Sequence, residues 1–257
     1  MPKHRRIWNA SVYERYIREG RGCGSGLDYV PWIHVQDFAS RGIVSRVKGR
    51  TTGRVHHLMS NNELAYFYIL DWSDKVTDIR EQYPLADLES AVNIAAQAGI
   101  KYPTDKASGY PYVMTCDFMI TTEQGQVART IKTSSELSDT RVREKLEIER
   151  RYWLKQGIEW KIVTEHEISY PKARNIEWIY TALCCESADG EVRDTMLRLL
   201  RCNEYSVVEV AQKAEREFSL AAGIGLQTFK QFILNKEITI DMNEPFDPNA
   251  RVIMEEA

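Results

Sequence analysis

The stretch CDFMITTEQGQVARTIK, residues 116–132, consists of two alternating segments around a glycine-bearing turn. Its β-branched and aromatic residues predict strands over 112–121 and 126–133, joined at Gln124-Gly125 as a two-residue turn. That turn sets Glu123 against Gln126, Met119 against Thr130 and Asp117 against Lys132. Asp117, Thr130 and Lys132 then share one face of the hairpin. Phe118, Ile120, Val127 and Ile131 share the other, which suits burial against a helix. A one-residue slip would bury Lys132 beside Phe118, so the pattern itself argues for this facing.

Outward from the hairpin, Ser60-x-x-Glu63 has the form of a capping box and opens a helix with Leu64, Phe67 and Leu70 at helical spacing. A strand is predicted over 76–83, closed by Pro84, with a short helix in AVNIAAQAG, residues 91–99. A charged helix over 136–156, stopped by Gly157, and a strand over 160–168 follow. The order helix, three strands, helix, strand predicts an α/β fold, a mixed sheet flanked by helices. Beyond Pro171, Ser206-x-x-Glu209 opens a helix with Val207, Val210, Ala211, Ala214 and Phe218 on one face, and a second helix is expected over 225–235. With short strands predicted at 238–242 and 251–254, this part reads as a smaller winged-helix-like domain. The expected domains are therefore 1–170, catalytic with a basic N-terminal region, and 171–257, partner-binding.

An acid at the head of one strand and a lysine at the end of the next is how many metal-dependent nucleases begin their active site, usually with an acid two residues before the lysine. Here that position is Thr130. Alone, Asp117 beside Lys132 reads equally well as a structural ion pair. Glu63 lies on a helix able to reach the same sheet edge, although the capping box gives it another use, reaching back to the Ser60 N–H. Together Glu63 and Asp117 can hold Mg²⁺, with Mn²⁺ as a substitute, through oxygen ligands. The Ile131 carbonyl is a candidate third ligand, and Thr130 acts through a bound water or not at all. Lys132 would orient the attacking water or stabilise the phosphorane. Glu149 either supports the site or stays with Glu144 and Glu147 on a solvated helix face. His56 and His57 are adjacent and point apart, a poor metal pair. GRGCGSG, residues 20–26, lacks the strand and GK[ST] of a phosphate loop.

The net charge is −3, distributed as +2 over 1–170 and −5 over 171–257, so no global positive field attracts nucleic acid. No acid occurs between Asp37 and Glu63, a gap holding Arg41, Arg46, Lys48, Arg50 and Arg54, which is the candidate DNA-facing strip. The five cysteines show no C-x-x-C spacing, which argues against a zinc module or a disulfide framework. With no signal peptide and no long apolar run, a soluble cytoplasmic protein is expected, with no membrane partner.

These residues, together with EGRGCGSGLDYVPWIHVQDF, TGRVHHLMSNNELAYFYILDW, VTDIREQYPL, TCDFMI, EKLEIERRYW and IEWIY, resemble the TnsA endonuclease subunits of heteromeric Tn-seven-type transposases. The resemblance covers most of residues 17–181, and beyond that it extends to expected architecture only. It implies a restriction-endonuclease-like catalytic fold whose site comprises Glu63, Asp117 and Lys132. Thr130 departs from the family, which has glutamine there. The implied reaction is Mg²⁺-dependent hydrolysis of the 5′, non-transferred strands at transposon ends, in a bacterial cytoplasm. The implied partners are transposon-end DNA, an integrase-type transposase and an ATPase regulator. The competing readings are a nuclease-inactive structural adaptor of the same assembly and a stand-alone restriction or repair nuclease.

Overall fold

The computed structural model describes residues 7–37 and 43–251, within two compact units, Met1–Ile168 and Ser169–Ala257. The first unit opens with α1 (Ala10–Arg18) and a two-stranded antiparallel hairpin, β1 (Ser45–Lys48) and β2 (Val55–Leu58). After α2 (Asn61–Trp72) come β3 (Val76–Pro84), α3 (Leu88–Gln97), β4 (Thr115–Thr122), β5 (Gly125–Ile131), α4 (Thr140–Lys155) and β6 (Glu159–Val163). The sheet order is β3-β4-β5-β6, antiparallel except for the parallel β5–β6 pair, which makes it the expected mixed sheet. One face carries α3 and α4, whose Ala91, Ile94, Ile148, Tyr152 and Trp153 pack with Cys116, Met119 and Ala128. Phe118 points the other way, onto Tyr66 of α2 at 5.9 Å between ring centres. Each large apolar side chain buried in this way contributes about 1.5–3 kcal/mol.

The central hairpin differs from the sequence expectation by a two-residue shift in register. Phe118 pairs with Arg129 and Thr122 with Gly125, so Glu123-Gln124 is the turn. Gly125 takes φ +120°, open to glycine, and the Thr122 hydroxyl accepts the Gln124 N–H (3.2 Å), which fixes the turn one residue early. A shift of two preserves side-chain facing, so Phe118 still points away from the face that Met119 and Ala128 enter, although the expected pairs are lost. Two other expected boundaries and one expected cap also change. Asp139 caps α4 by accepting the Arg141 N–H (2.6 Å), leaving Glu136–Ser138 as a separate 3₁₀ turn. Glu167 accepts the Thr164 N–H (2.6 Å), ending β6 at Val163 rather than at 168. Glu63 sends its carboxylate to the Met59 N–H (2.9 Å) and not to the Ser60 N–H, while Ser60 Oγ still accepts the Glu63 N–H (3.2 Å).

The second unit contains α5 (Tyr170–Tyr180), α6 (Gly190–Arg201), α7 (Val207–Glu217) and α8 (Ile224–Leu234). Ser206 and Glu209 form the expected capping box. A Cβ at Gly225 would lie 2.6 Å from the Ala211 backbone, so glycine is what lets α7 and α8 meet. The strand expected at 238–242 does not form. Lys236 takes φ +60°, and the N–H groups of Glu237 (2.8 Å) and Ile238 (3.3 Å) return to the Phe232 carbonyl, spending buried Ile238 on the end of α8. Most of the other expected strand, 252–254, lies outside the described residues.

Arg54, placed by the sequence on the DNA-facing strip, is instead buried. Its guanidinium forks onto Glu81 of β3 and also donates to the Ile79 carbonyl (2.8 Å). Glu81, fully buried, is further bonded to His56 Nδ1 (2.8 Å) and the His57 N–H (3.0 Å). Burial raises its pKa, but the bonds from Arg54 and His56 outweigh that and hold it at about 2. A depressed carboxylate stabilises the fold above its unfolded value of about 4.5 and loses that contribution as pH falls toward about 2. Glu81→Gln should therefore cost on the order of 3–5 kcal/mol near pH 7. The penalty should shrink in thermal melts as pH falls from about 4.5 toward about 2; a penalty independent of pH would contradict the ion-pair origin.

Candidate active site

β4 and β5 stop pairing at Phe118 and Arg129. Beyond that point, Asp117 Oδ2 takes the Ile131 N–H at 2.6 Å, a side chain standing in for a ladder carbonyl. Lys132, one residue past β5, sends Nζ to the Ile131 carbonyl (2.7 Å) and lies 3.6 Å from Asp117 Oδ2. The carbonyl expected as a metal ligand is thus engaged by the neighbouring ammonium. Glu63 arrives from the first turn of α2, with Oε2 accepting from Met59 N–H (2.9 Å) and Gln82 Nε2 (3.3 Å) and Oε1 from Ser60 Oγ (3.0 Å).

Thr130 resolves the question of the absent acid. Its hydroxyl donates to Glu149 of α4, and Trp160 Nε1 donates to the same Glu149 oxygen at 2.8 Å. Glu149 is therefore not on a solvated helix face. It is buried with Asp117 and Glu63 near Lys132, and the position two before the lysine serves to hold a carboxylate brought by a helix. Glu144 and Glu147 do pair with neighbouring arginines on the outer surface, Arg141 (2.7 Å) and Arg150 (2.7 Å).

The electrostatics reflect this crowding. Burial first, and then the charge of Asp117, push Glu63 up to about 7. Burial also pushes Glu149 up to about 7, with Asp117 adding to it against the bonds from Thr130 and Trp160. Asp117 raises Lys132 above its ordinary value, reinforced by Glu149, Glu136 and Glu63. Among the described residues, no three His, Cys, Asp or Glu side chains form a ready metal-ligand group.

A family model described as TnsA-like endonuclease N terminal matches residues 73–165, which contain Asp117, Thr130, Lys132 and Glu149. A second, TnsA endonuclease C terminal, matches residues 167–242. The Escherichia coli protein named transposon Tn7 transposition protein TnsA is 36% identical over 242 residues, 91% of this chain and 87% of its own. The chain belongs to the TnsA endonuclease family. It is an endonuclease subunit of a DNA transposition system, and the similarity extends through the C-terminal part, where the sequence reading had found likeness in architecture alone.

Of the strip expected to face DNA in this TnsA-family chain, Arg46 and Lys48 are exposed on alternate positions of β1 and so share a face. Arg50 is partly buried beside Asp74 at 3.3 Å, and Arg54 is withdrawn into the ion pair with Glu81. Arg41 lies outside the described residues. His56 and His57 do point apart, one to Glu81 and the other stacked on His34 at 5.0 Å. The glycine-rich segment packs against β3, where a Cβ at Gly22 would lie 2.4 Å from the Pro84 ring. No helix among the described residues is long and apolar enough to cross a membrane. The sequence reading missed Gln82 and Trp160, neither of which belongs to a spacing motif.

A carboxylate whose folded pKa is raised favours the fold below its unfolded value and loses that contribution as pH rises through the folded one. For Glu149 this window runs from about 4.5 to about 7. With divalent cations chelated, Glu149→Gln should melt higher than wild type at pH 8, by on the order of 1–3 kcal/mol, with the advantage vanishing near pH 4.5. Equal melting temperatures at pH 8 would place the charge elsewhere.

Proposed function

We propose that this TnsA-family endonuclease hydrolyses the 5′, non-transferred strands at transposon ends, with Glu63, Asp117 and Lys132 as its catalytic residues and Mg²⁺ as its cation. The observation that carries the reading is Lys132 lying 3.6 Å from Asp117 where β4 and β5 stop pairing, with buried Glu63 and Glu149 both adding to its proton affinity. An ion pair serving structure alone needs one carboxylate for one ammonium. Here two further carboxylates, Glu63 and Glu149, are raised chiefly by burial, with Asp117 adding to it, and a hard cation beside them would favour their ionised forms.

Glu63 and Asp117 would hold the cation, with the Ile131 carbonyl available once Lys132 turns from it. When bound, a divalent cation supplies Lewis acidity toward the scissile phosphate and lowers the pKa of an attacking water. Lys132, the strongest proton holder of the group, stays an ammonium and stabilises charge developing on the phosphorane. Thr130 and Trp160 fix Glu149, which tethers neighbouring waters and not the phosphate. Substrate reaches this site along β1, where Arg46 and Lys48 offer phosphate contacts to transposon-end DNA.

An integrase-type transposase that cuts and joins the 3′ ends, and an ATPase regulator, are the partners that complete the assembly. The acidic C-terminal unit, a compact unit of helices α5–α8 with −5 over 171–257, is the surface proposed for them.

In a reconstituted excision reaction, Asp117→Ala and Lys132→Ala should each lower 5′-strand cleavage by about 10²- to 10⁴-fold. Cleavage at the 3′ ends should persist, and both variants should stay folded, with Asp117→Ala losing about 1–3 kcal/mol for the unsatisfied Ile131 N–H. Undiminished 5′ cleavage by either variant would move the active site elsewhere.

A further inference from the structure

Gln82 is the only non-glycine residue inside a described strand with a positive φ, +48°. Such a conformation costs about 1–3 kcal/mol and persists where the surroundings over-determine it. Its effect on β3 is to reverse the side-chain alternation. Glu81 faces Arg54 and His56, whereas Tyr83, which a regular strand would place on the same face, turns to Trp153 of α4 at 5.9 Å between ring centres. The partner strand is irregular at the same level, since Cys116 and Met119, three apart, both enter the α3–α4 core. Both alternations therefore break beside Asp117.

The reversal brings the buried Gln82 side chain onto the α2 side of the sheet. Nε2 donates to Glu63 Oε2 (3.3 Å) and Oε1 accepts from Thr115 Oγ1 (3.2 Å). The Gln82 carbonyl is held by the Trp32 N–H (3.3 Å), and the residue before it is locked by the Arg54–Glu81 fork. A strained backbone, pinned on both sides, thus serves to present one amide to one carboxylate.

We propose that Gln82 is a positioning residue for Glu63, turning that carboxylate toward Asp117 so that the two act as a single cation site. The proposal rests on the reading of Glu63 and Asp117 as cation holders. It assigns to the bend in β3 a function that packing does not require, since glycine would adopt the same φ without strain.

Gln82→Gly separates the two roles. It keeps the backbone bend and removes the amide, so the full-length protein should melt at or above the wild-type temperature without added metal. In Mg²⁺ titrations followed by calorimetry and by the metal-induced rise in melting temperature, the midpoint should shift about tenfold higher. The Mg²⁺ dependence of 5′ cleavage in the complete assembly should move with it, with most of the rate recovered at saturating metal. Gln82→Asn, which tolerates the same φ and keeps an amide, should recover part of the affinity. A wild-type Mg²⁺ midpoint in Gln82→Gly overturns the proposal. Glu63→Ala serves as the separate arm: wild-type titration and cleavage there would overturn the cation-site reading itself, whereas loss of both there with a wild-type midpoint in Gln82→Gly would overturn only the role of Gln82.

Discussion

A fully buried carboxylate with donors aimed at it from two directions fixes everything attached to those donors, and Glu81 is that group here. Arg54, His56 and the His57 N–H all belong to the β1–β2 hairpin or its connecting loop, and Glu81 belongs to the central sheet. Removing one partner would strand a charge at a depth where desolvation costs several kcal/mol. The hairpin is therefore attached to β3 at one point by ionic bonds, and the next residue along β3 is Gln82. Its other attachment is lighter. Asp71 of α2 accepts the N–H groups of Arg50 (2.7 Å) and Thr51 (2.9 Å), which shapes the loop between the two strands.

The parts of this architecture legible in the sequence are those where period or capping chemistry decides structure locally. The hairpin faces followed from alternation, and Phe118 kept its side through an error in register because a shift of two leaves alternation intact. The helix after Ser60 followed from its cap. Glu63, Asp117 and Lys132 were legible as candidates, and Lys132 lies 3.6 Å from Asp117. What escaped depends on contacts distant in sequence. Arg54 looked like a surface cation because nothing nearby is acidic; its partner lies 27 residues on. Glu149 stayed open between the site and a solvated helix face, because its anchor, Thr130, is 19 residues earlier on a different element. The expected strand after α8 failed for the opposite reason. Its apolar residue was real, but a local helix-ending motif claimed it.

Protons and cations compete for the same oxygens in a site of this kind. Glu63 and Glu149 are both pushed to about 7, so near neutral pH each sits close to its titration point and small changes in surrounding charge alter its ionisation. Lys132 is the counterweight. Its ammonium lies on the Ile131 carbonyl and near Asp117, where it partly neutralises the cluster. Binding of a scissile phosphate would draw the same ammonium outward, free that carbonyl and leave the carboxylates less compensated. On the proposed reading, substrate and cation then favour one another, since each removes a term opposing the other. A net charge of −3 is compatible with this, because on the proposed reading affinity for DNA arises from the assembled site and its partners and not from a long-range field.

The position two before the lysine shows how such a site tolerates the loss of a strand-borne acid. A glutamate at Thr130 would be fixed by the strand itself, with the same rigidity as Asp117. Threonine instead supplies a hydroxyl, and the carboxylate comes from α4, whose place depends on Tyr152, Trp153 and Ile148 packing into the α3–α4 core. The hydroxyl and the Trp160 indole then bind that carboxylate from two strands, β5 and β6. The carboxylate at this level is thus held by helix packing and not by the geometry of its own strand. Changes that loosen α4 on the sheet therefore act on Glu149 even when they lie far from the chemistry, whereas Glu63 and Asp117, held from α2 and β4, remain where they are.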